Sequence, residues 1–182
     1  AGHGLQIEGA NYLVPVDFDG DEIDAKHKCL NADMVRERME KSGADTNILV
    51  LDACRNNPFS SSRGGTRGLV FMEGGVGTLI AFATSPGGVA NDNPDGNNGL
   101  FTKHLLANLA TPGLDALQVF QAVGRGVYKE SNGSQKPWIS ASVMPKNFYF
   151  AVAPVAASNP EAATAPNWTC SLSRIPTRLA AL

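Results

Sequence analysis

The sequence has no run of about eighteen apolar residues, so no α-helical membrane span is expected. It has no basic excess either. Its 15 Lys and Arg stand against 17 Asp and Glu, for a formal net charge of −2, which argues against a general nucleic-acid binder. Cysteine is scarce: Cys29, Cys54 and Cys170 are an odd number with no CxxC pair. Neither a disulfide framework nor a zinc site is indicated. No signal-peptide pattern and no internal repeat is visible. Gly74–Gly77 (GGVG) lacks the Lys-Ser/Thr pair of a phosphate loop. Histidine is limited to His3, His27 and His104, so chemistry that needs an imidazole has few candidates. What remains is ordinary for a globular domain, with 43% hydrophobic and 18% charged residues. The 182 residues suffice for one sizeable core.

Along the chain, Asn11–Val16 (NYLVPV) predicts a short strand followed by an acidic turn. Leu30, Met34, Val35 and Met39 form a helical stripe over Leu30–Ser42, and Gly43 suits its end. Ile48–Leu51 (ILVL) is a continuous apolar run, which predicts a strand buried on both faces. Thr78–Thr84 (TLIAFAT) is a second buried-strand candidate. The stretch between them, 59–75, is rich in Ser, Gly and Arg and reads as a loop. Ser85–Gly99 is almost pure turn chemistry. Leu100–Leu109 and Leu114–Glu130 read as helices, the second with Leu117, Phe120, Val123 and Val127 on one side. Asn147–Val152 (NFYFAV) reads as a final strand. The alternation predicts an α/β layered fold with a mostly parallel sheet. From Ala151 the composition turns to Ala, Pro, Ser and Thr, so residues 1–150 are expected to form the domain and 151–182 a linker or tail.

The chemistry centres on Cys54, just past the end of the ILVL strand. In open α/β sheets ligands sit beyond the carboxyl ends of the strands. A lone cysteine is more often a small buried hydrophobe than a nucleophile, and a thiol attacks only as thiolate, which needs an activating neighbour. His27 lies in the charged stretch Asp24–Lys28 and His104 in a helix beside Lys103, and both read as exposed or structural. His3 differs, being flanked by Gly2 and Gly4, which leave the backbone open to close approach. Fifty-one positions separate His3 from Cys54, close to the spacing of about fifty between the caspase dyad residues.

At this point a family resemblance emerges. Asp52-Ala53-Cys54-Arg55 resembles the caspase cysteine motif with Asp in place of Gln, and Ala1-Gly2-His3-Gly4 resembles its histidine motif. LDACRNNPF at 51–59, NYLVPVD at 11–17, IAFATSPGGVA at 80–90, GLFTKHLL at 99–106 and QKPW at 135–138 resemble bacterial caspase-like proteins of the metacaspase/paracaspase type, in the family's order. The resemblance implies the caspase-haemoglobinase α/β/α fold over about residues 1–150. It also implies a cysteine endopeptidase with Cys54 as nucleophile, His3 as general base and then acid, and an oxyanion hole from the backbone N–H groups of Gly4 and Cys54. Such domains carry a strand, a helix and a second strand ahead of the histidine motif. The chain opens on that motif, so an N-terminally truncated domain is expected.

Strand period bears on specificity. Residues two apart share a face, so Asp52 is expected beside Cys54, where a carboxylate favours a substrate with a basic residue at the cleaved bond. Cleavage after Arg or Lys is therefore expected, as in metacaspases and paracaspases and unlike true caspases. The alternative is that Asp52 only caps a turn. Asp92 matches the position where the family often carries a second pocket acid. Arg63 and Arg67, in the loop after the nucleophile, are candidate self-cleavage points, with a solvated basic loop as the alternative. No cofactor or structural metal is expected. Asp17, Asp19, Asp21 and Asp24 resemble a calcium loop with Gly20 misplaced for an EF-hand, and calcium dependence stays open. Asn132-Gly-Ser and Asn167-Trp-Thr fit the glycosylation pattern, and Trp138 reads as a packing anchor or subsite wall. The expected partner is a peptide or protein substrate, and a homodimer is a further expectation from the family. Two rival readings remain: a legumain- or clostripain-like peptidase, and an inactive caspase-like binding module.

Overall fold

A computed structural model describes residues 2–54, 69–86, 88, 90–91 and 98–153. Asp92, Arg63, Arg67 and the tail from residue 154 lie outside the described residues, as does the side chain of Cys54. The described strands are β1 (Gly2–Ile7), β2 (Ala10–Val14), β3 (Leu30–Asn31), β4 (Asn47–Leu51), β5 (Ala53–Cys54), β6 (Thr78–Phe82) and β7 (Trp138–Ala141). The helices are α1 (Glu22–Lys28), α2 (Ala32–Lys41), α3 (Leu100–Leu109) and α4 (Ala116–Glu130). No helix among the described residues is long and apolar enough to cross a membrane.

Local chemistry explains most of the boundaries. Glu8 and Gly9 both have positive φ, at 51° and 84°, the pattern of a tight turn that matches strand twist, and β1 folds back on β2 as a hairpin. β2 stops at Val14, before Pro15, which has no N–H for a ladder. Asp21 and Asp24 form a capping box for α1, and the Asn31 side chain accepts from Met34 N to start α2. Gly43, at φ 78°, follows the end of α2.

The strands form two hydrogen-bonded sets, ordered β3-β2-β1-β5 and β4-β6-β7. The expected parallel pairing lies at their heart: β1 with β5 and β4 with β6. The flanking partners β2, β3 and β7 are antiparallel. The chain crosses from one set to the other at Asp52, between β4 and β5.

β6 is buried along its whole length and feeds two cores by alternation. Leu79 and Ala81 join Phe101 of α3 and Val119, Phe120, Val123 and Val127 of α4. Ile80 and Phe82 join Ala32 of α2 with Leu51, Ala53, Leu69 and Met72. Helices thus cover both faces, in the expected α/β/α order. A third cluster places Ala25 and Cys29 against Leu5 and Ile7. Cys29 is a buried hydrophobe whose thiol burial pushes up, away from thiolate reactivity.

Three expectations need correction. The ILVL strand is not buried on both faces, since Val50 is 37% exposed. The apolar stripe of α4 is Ala116, Val119, Phe120, Val123 and Val127, while Leu117 turns outward. Asn147–Val152 is not a strand and makes a single bridge, Tyr149 to Asp115. Its backbone instead serves the entry to α4: Ala116 N donates to Phe148 O at 2.7 Å and Gly113 N to Ala151 O at 3.1 Å. Its rings pack edge-on, Phe148 to Phe150 at 5.2 Å and Phe150 to Phe120 at 6.2 Å. The last strand is β7, whose first residue, Trp138, is largely exposed and lines a groove with Phe71 and Glu73.

Candidate active site

The two dyad candidates lie on neighbouring parallel strands in register. Gly2 pairs with Ala53 and His3 with Cys54, and the rung between Gly2 N and Asp52 O measures 3.0 Å. Adjacent strands run about 4.8 Å apart, so fifty-one positions of sequence close to one interstrand step. His3 is exposed at the surface, while Gly4 beside it is buried. Side chains alternate along β1, and a Cβ at Gly4 would meet Leu69 Cδ2 at 2.9 Å and Ala53 Cβ at 3.2 Å. Only glycine fits there. The floor under β1 is thus Leu69 and Ala53, and His3 takes the opposite, open side.

Asn11 secures that floor. It is fully buried in β2. Its Nδ2 donates to Val70 O at 2.9 Å, and Val70 N donates to its Oδ1 at 2.7 Å. This fixes the chain at 69–70, where it returns after the nucleophile, directly beneath Gly4.

Asp52 joins the site to α3. Its carboxylate Oδ2 accepts a hydrogen bond from the Thr102 hydroxyl. A Cβ at Gly99, the N-cap of α3, would lie 3.6 Å from the same oxygen. Gly99 supplies no side-chain cap, so the half-buried Asp52 puts negative charge against the positive end of α3. His3 and Asp52 also line one cleft of about 210 Å³, with Leu13, Val14 and Val50. The structure therefore brings together His3, Cys54, Gly4 and Asp52.

Among the other polar candidates, Asp21, Asp24 and His104 have structural partners. Asp21 and Asp24 cap α1, and among the described residues no group of three or more His, Cys, Asp or Glu could hold a metal ion. His104 stands on α3 with Nε2 2.9 Å from Glu130 Oε2 of α4. Lys103 donates to the same carboxylate and, as the larger influence, holds it below the usual glutamate range together with His104. His27 is exposed on α1.

Three supporting residues escaped the reading of the sequence: Asn11, Thr102 and Gln135. All lie inside the quoted motifs NYLVPVD, GLFTKHLL and QKPW, but only the fold shows their partners. Gln135 is buried. Its Nε2 donates to Ala83 O just past β6 (2.8 Å), and its Oε1 accepts from Asn91 N (3.0 Å). Leu100 N donates to Asn91 O at 3.0 Å. Both peptide groups of Asn91 are thereby tied, directly before the candidate acid Asp92.

The family profile of the caspase domain, Peptidase C14, matches residues 1–149. No curated protein sequence matches the chain. Among solved structures, caspase-1 from Spodoptera frugiperda is similar in fold, with a TM-score of 0.50 at 17% sequence identity, over 71% of this chain and 57% of that one. The chain thus spans somewhat more than half the length of that caspase. The order of motifs, the register of β1 on β5 and the match over most of its length place the chain in the caspase-domain family of C14 peptidases.

Proposed function

We propose that this domain is a cysteine endopeptidase of the metacaspase/paracaspase type that cleaves after Arg or Lys. The observation that carries the reading is the register of His3 opposite Cys54 on neighbouring parallel strands. In this reading His3 takes the thiol proton, and the Cys54 thiolate attacks the carbonyl carbon of the scissile bond. The backbone N–H groups of Gly4 and Cys54 receive the developing oxyanion. Collapse expels the amine, which takes its proton from the His3 imidazolium, and leaves a thioester on Cys54. His3 then draws a proton from water, which attacks the thioester and releases the acid and the free thiol. Asp52, two residues before the nucleophile and lining the same cleft as His3, meets the substrate cation, with Asp92 as its second acid.

The test is hydrolysis of fluorogenic peptides ending in Arg, Lys or Asp by the protein and by Cys54→Ala, with and without calcium. Cleavage after Arg or Lys that disappears in the variant is the expected result. Cleavage after Asp would overturn the assignment of Asp52. No cleavage under any condition would favour a binding module.

A further inference from the structure

The geometry points to Thr102 as a positioning residue for substrate recognition, acting by holding the Asp52 carboxylate at the first turn of α3. This inference rests on the basic-pocket reading of Asp52. A carboxylate on a short side chain can turn about its last torsion, and an unrestrained one meets a cation in many orientations. Here Oδ2 is the acceptor for the Thr102 hydroxyl, which sets the plane of the carboxylate while each oxygen keeps a lone pair to meet the substrate cation in a set direction. Thr102 is suited to this task. Its β-branched side chain has few rotamers in a helix, and it stands on the first turn, whose backbone is anchored at Leu100 N to Asn91 O and at Lys103 N to Gly99 O. The Gly99 N-cap adds no side chain that would compete for the turn. The same α3 turn therefore holds both Asp52 and Asn91. A bidentate guanidinium loses more than a point-charge ammonium when a carboxylate loses its orientation. Removal of the hydroxyl should therefore weaken Arg substrates more than Lys substrates.

The experiment is steady-state cleavage of matched Arg and Lys peptides by the wild type, Thr102→Val, Thr102→Ser, Asp52→Asn and the Thr102→Val/Asp52→Asn double variant. Urea unfolding of each protein controls for folding. Thr102→Val is expected to raise KM for the Arg peptide about 3- to 10-fold, with kcat within about twofold, and to raise it less for Lys. Thr102→Ser, which keeps the hydroxyl, should behave as wild type. In the Asp52→Asn background Thr102→Val should add nothing, because its effect passes through the carboxylate. Equal losses for both substrates, a fall in kcat alone, or an undiminished effect in the Asp52→Asn background would overturn the inference. Asp52→Asn that keeps full preference for basic residues would overturn the pocket reading itself. Loss of preference in Asp52→Asn but not in Thr102→Val would overturn only the role of Thr102.

Discussion

Asn11 offers the sharpest test of how the site is supported. Replacement by Leu keeps the number of side-chain heavy atoms and the branch point and removes both hydrogen bonds to Val70. The N–H and C=O of Val70 then lose their partners. A buried polar group left unmade costs about 1–3 kcal/mol. Val70 is only half-buried, so the low end applies to each, and the expected loss is about 2 kcal/mol. That is a large part of the roughly 5–15 kcal/mol by which domains are stable. Asn11→Asp separates the two bonds. An ionised carboxylate accepts from Val70 N but can give nothing to Val70 O. Burial and the facing carbonyl disfavour the charge, which raises the folded pKa above the unfolded value of about 3.9. The neutral acid, by contrast, donates and accepts as Asn does. The deficit of Asn11→Asp against wild type should therefore be full at neutral pH. It should shrink as pH falls through the raised folded pKa and be smallest below the unfolded one. Urea unfolding of wild type, Asn11→Leu and Asn11→Asp from pH 7 to pH 4 measures this, each variant against wild type at the same pH. Asn11→Leu within about 0.5 kcal/mol of wild type, the range of an ordinary surface change, would refute the reasoning. So would an Asn11→Asp deficit that holds constant or grows toward acid.

Two further outcomes are expected. The Glu40 carboxylate lies below the usual range, chiefly through the Gly75 N–H it accepts at 2.7 Å, helped by Thr78 and Arg36. Its contribution is present above the unfolded pKa of about 4.3 and lost as pH falls through the lower folded value. Glu40→Gln should thus cost about 1–2 kcal/mol at pH 7 and much less at pH 3, and a gap that stays the same in thermal melts at both values would contradict this. Gly4→Ala drives a methyl to 2.9 Å from Leu69 Cδ2 and should cost about 1–3 kcal/mol. Leu69→Val in the same chain should recover part of that loss in denaturation curves, and strictly additive losses would argue against the contact.

Much of the architecture was legible because period and composition agree. TLIAF is apolar at every position after Thr78, and β6 is buried at every position. GLFTKHLL begins with glycine, and α3 starts immediately after Gly99. The failures share one cause: local composition does not say which surface a segment will meet. NFYFAV is dense in aromatic residues and looks like a strand, yet its rings settle on α4 and its carbonyls serve that helix's entry. WISA is shorter and follows a proline, yet it pairs with β6. Leu117 is as apolar as Phe120, but the face of α4 is centred one residue away. Of the candidate site, His3, Cys54, Gly4 and Asp52 are proposed from motif and spacing. Asn11, Thr102 and Gln135 are not, since their partners lie 59, 50 and 52 or 44 residues away in sequence.

The passage of the chain through Asp52 has a consequence for accuracy. Its carbonyl is tied to β1 through Gly2, and its carboxylate is tied to α3 through Thr102. The strand that carries the histidine and the first turn of α3 are thus both indexed from one residue, two peptide bonds from Cys54. Small displacements elsewhere in the two sheets need not accumulate between them, because both hydrogen bonds meet on one residue. Where a misplacement of 1 Å can cost on the order of a hundredfold in rate, such a common datum keeps the tolerances short.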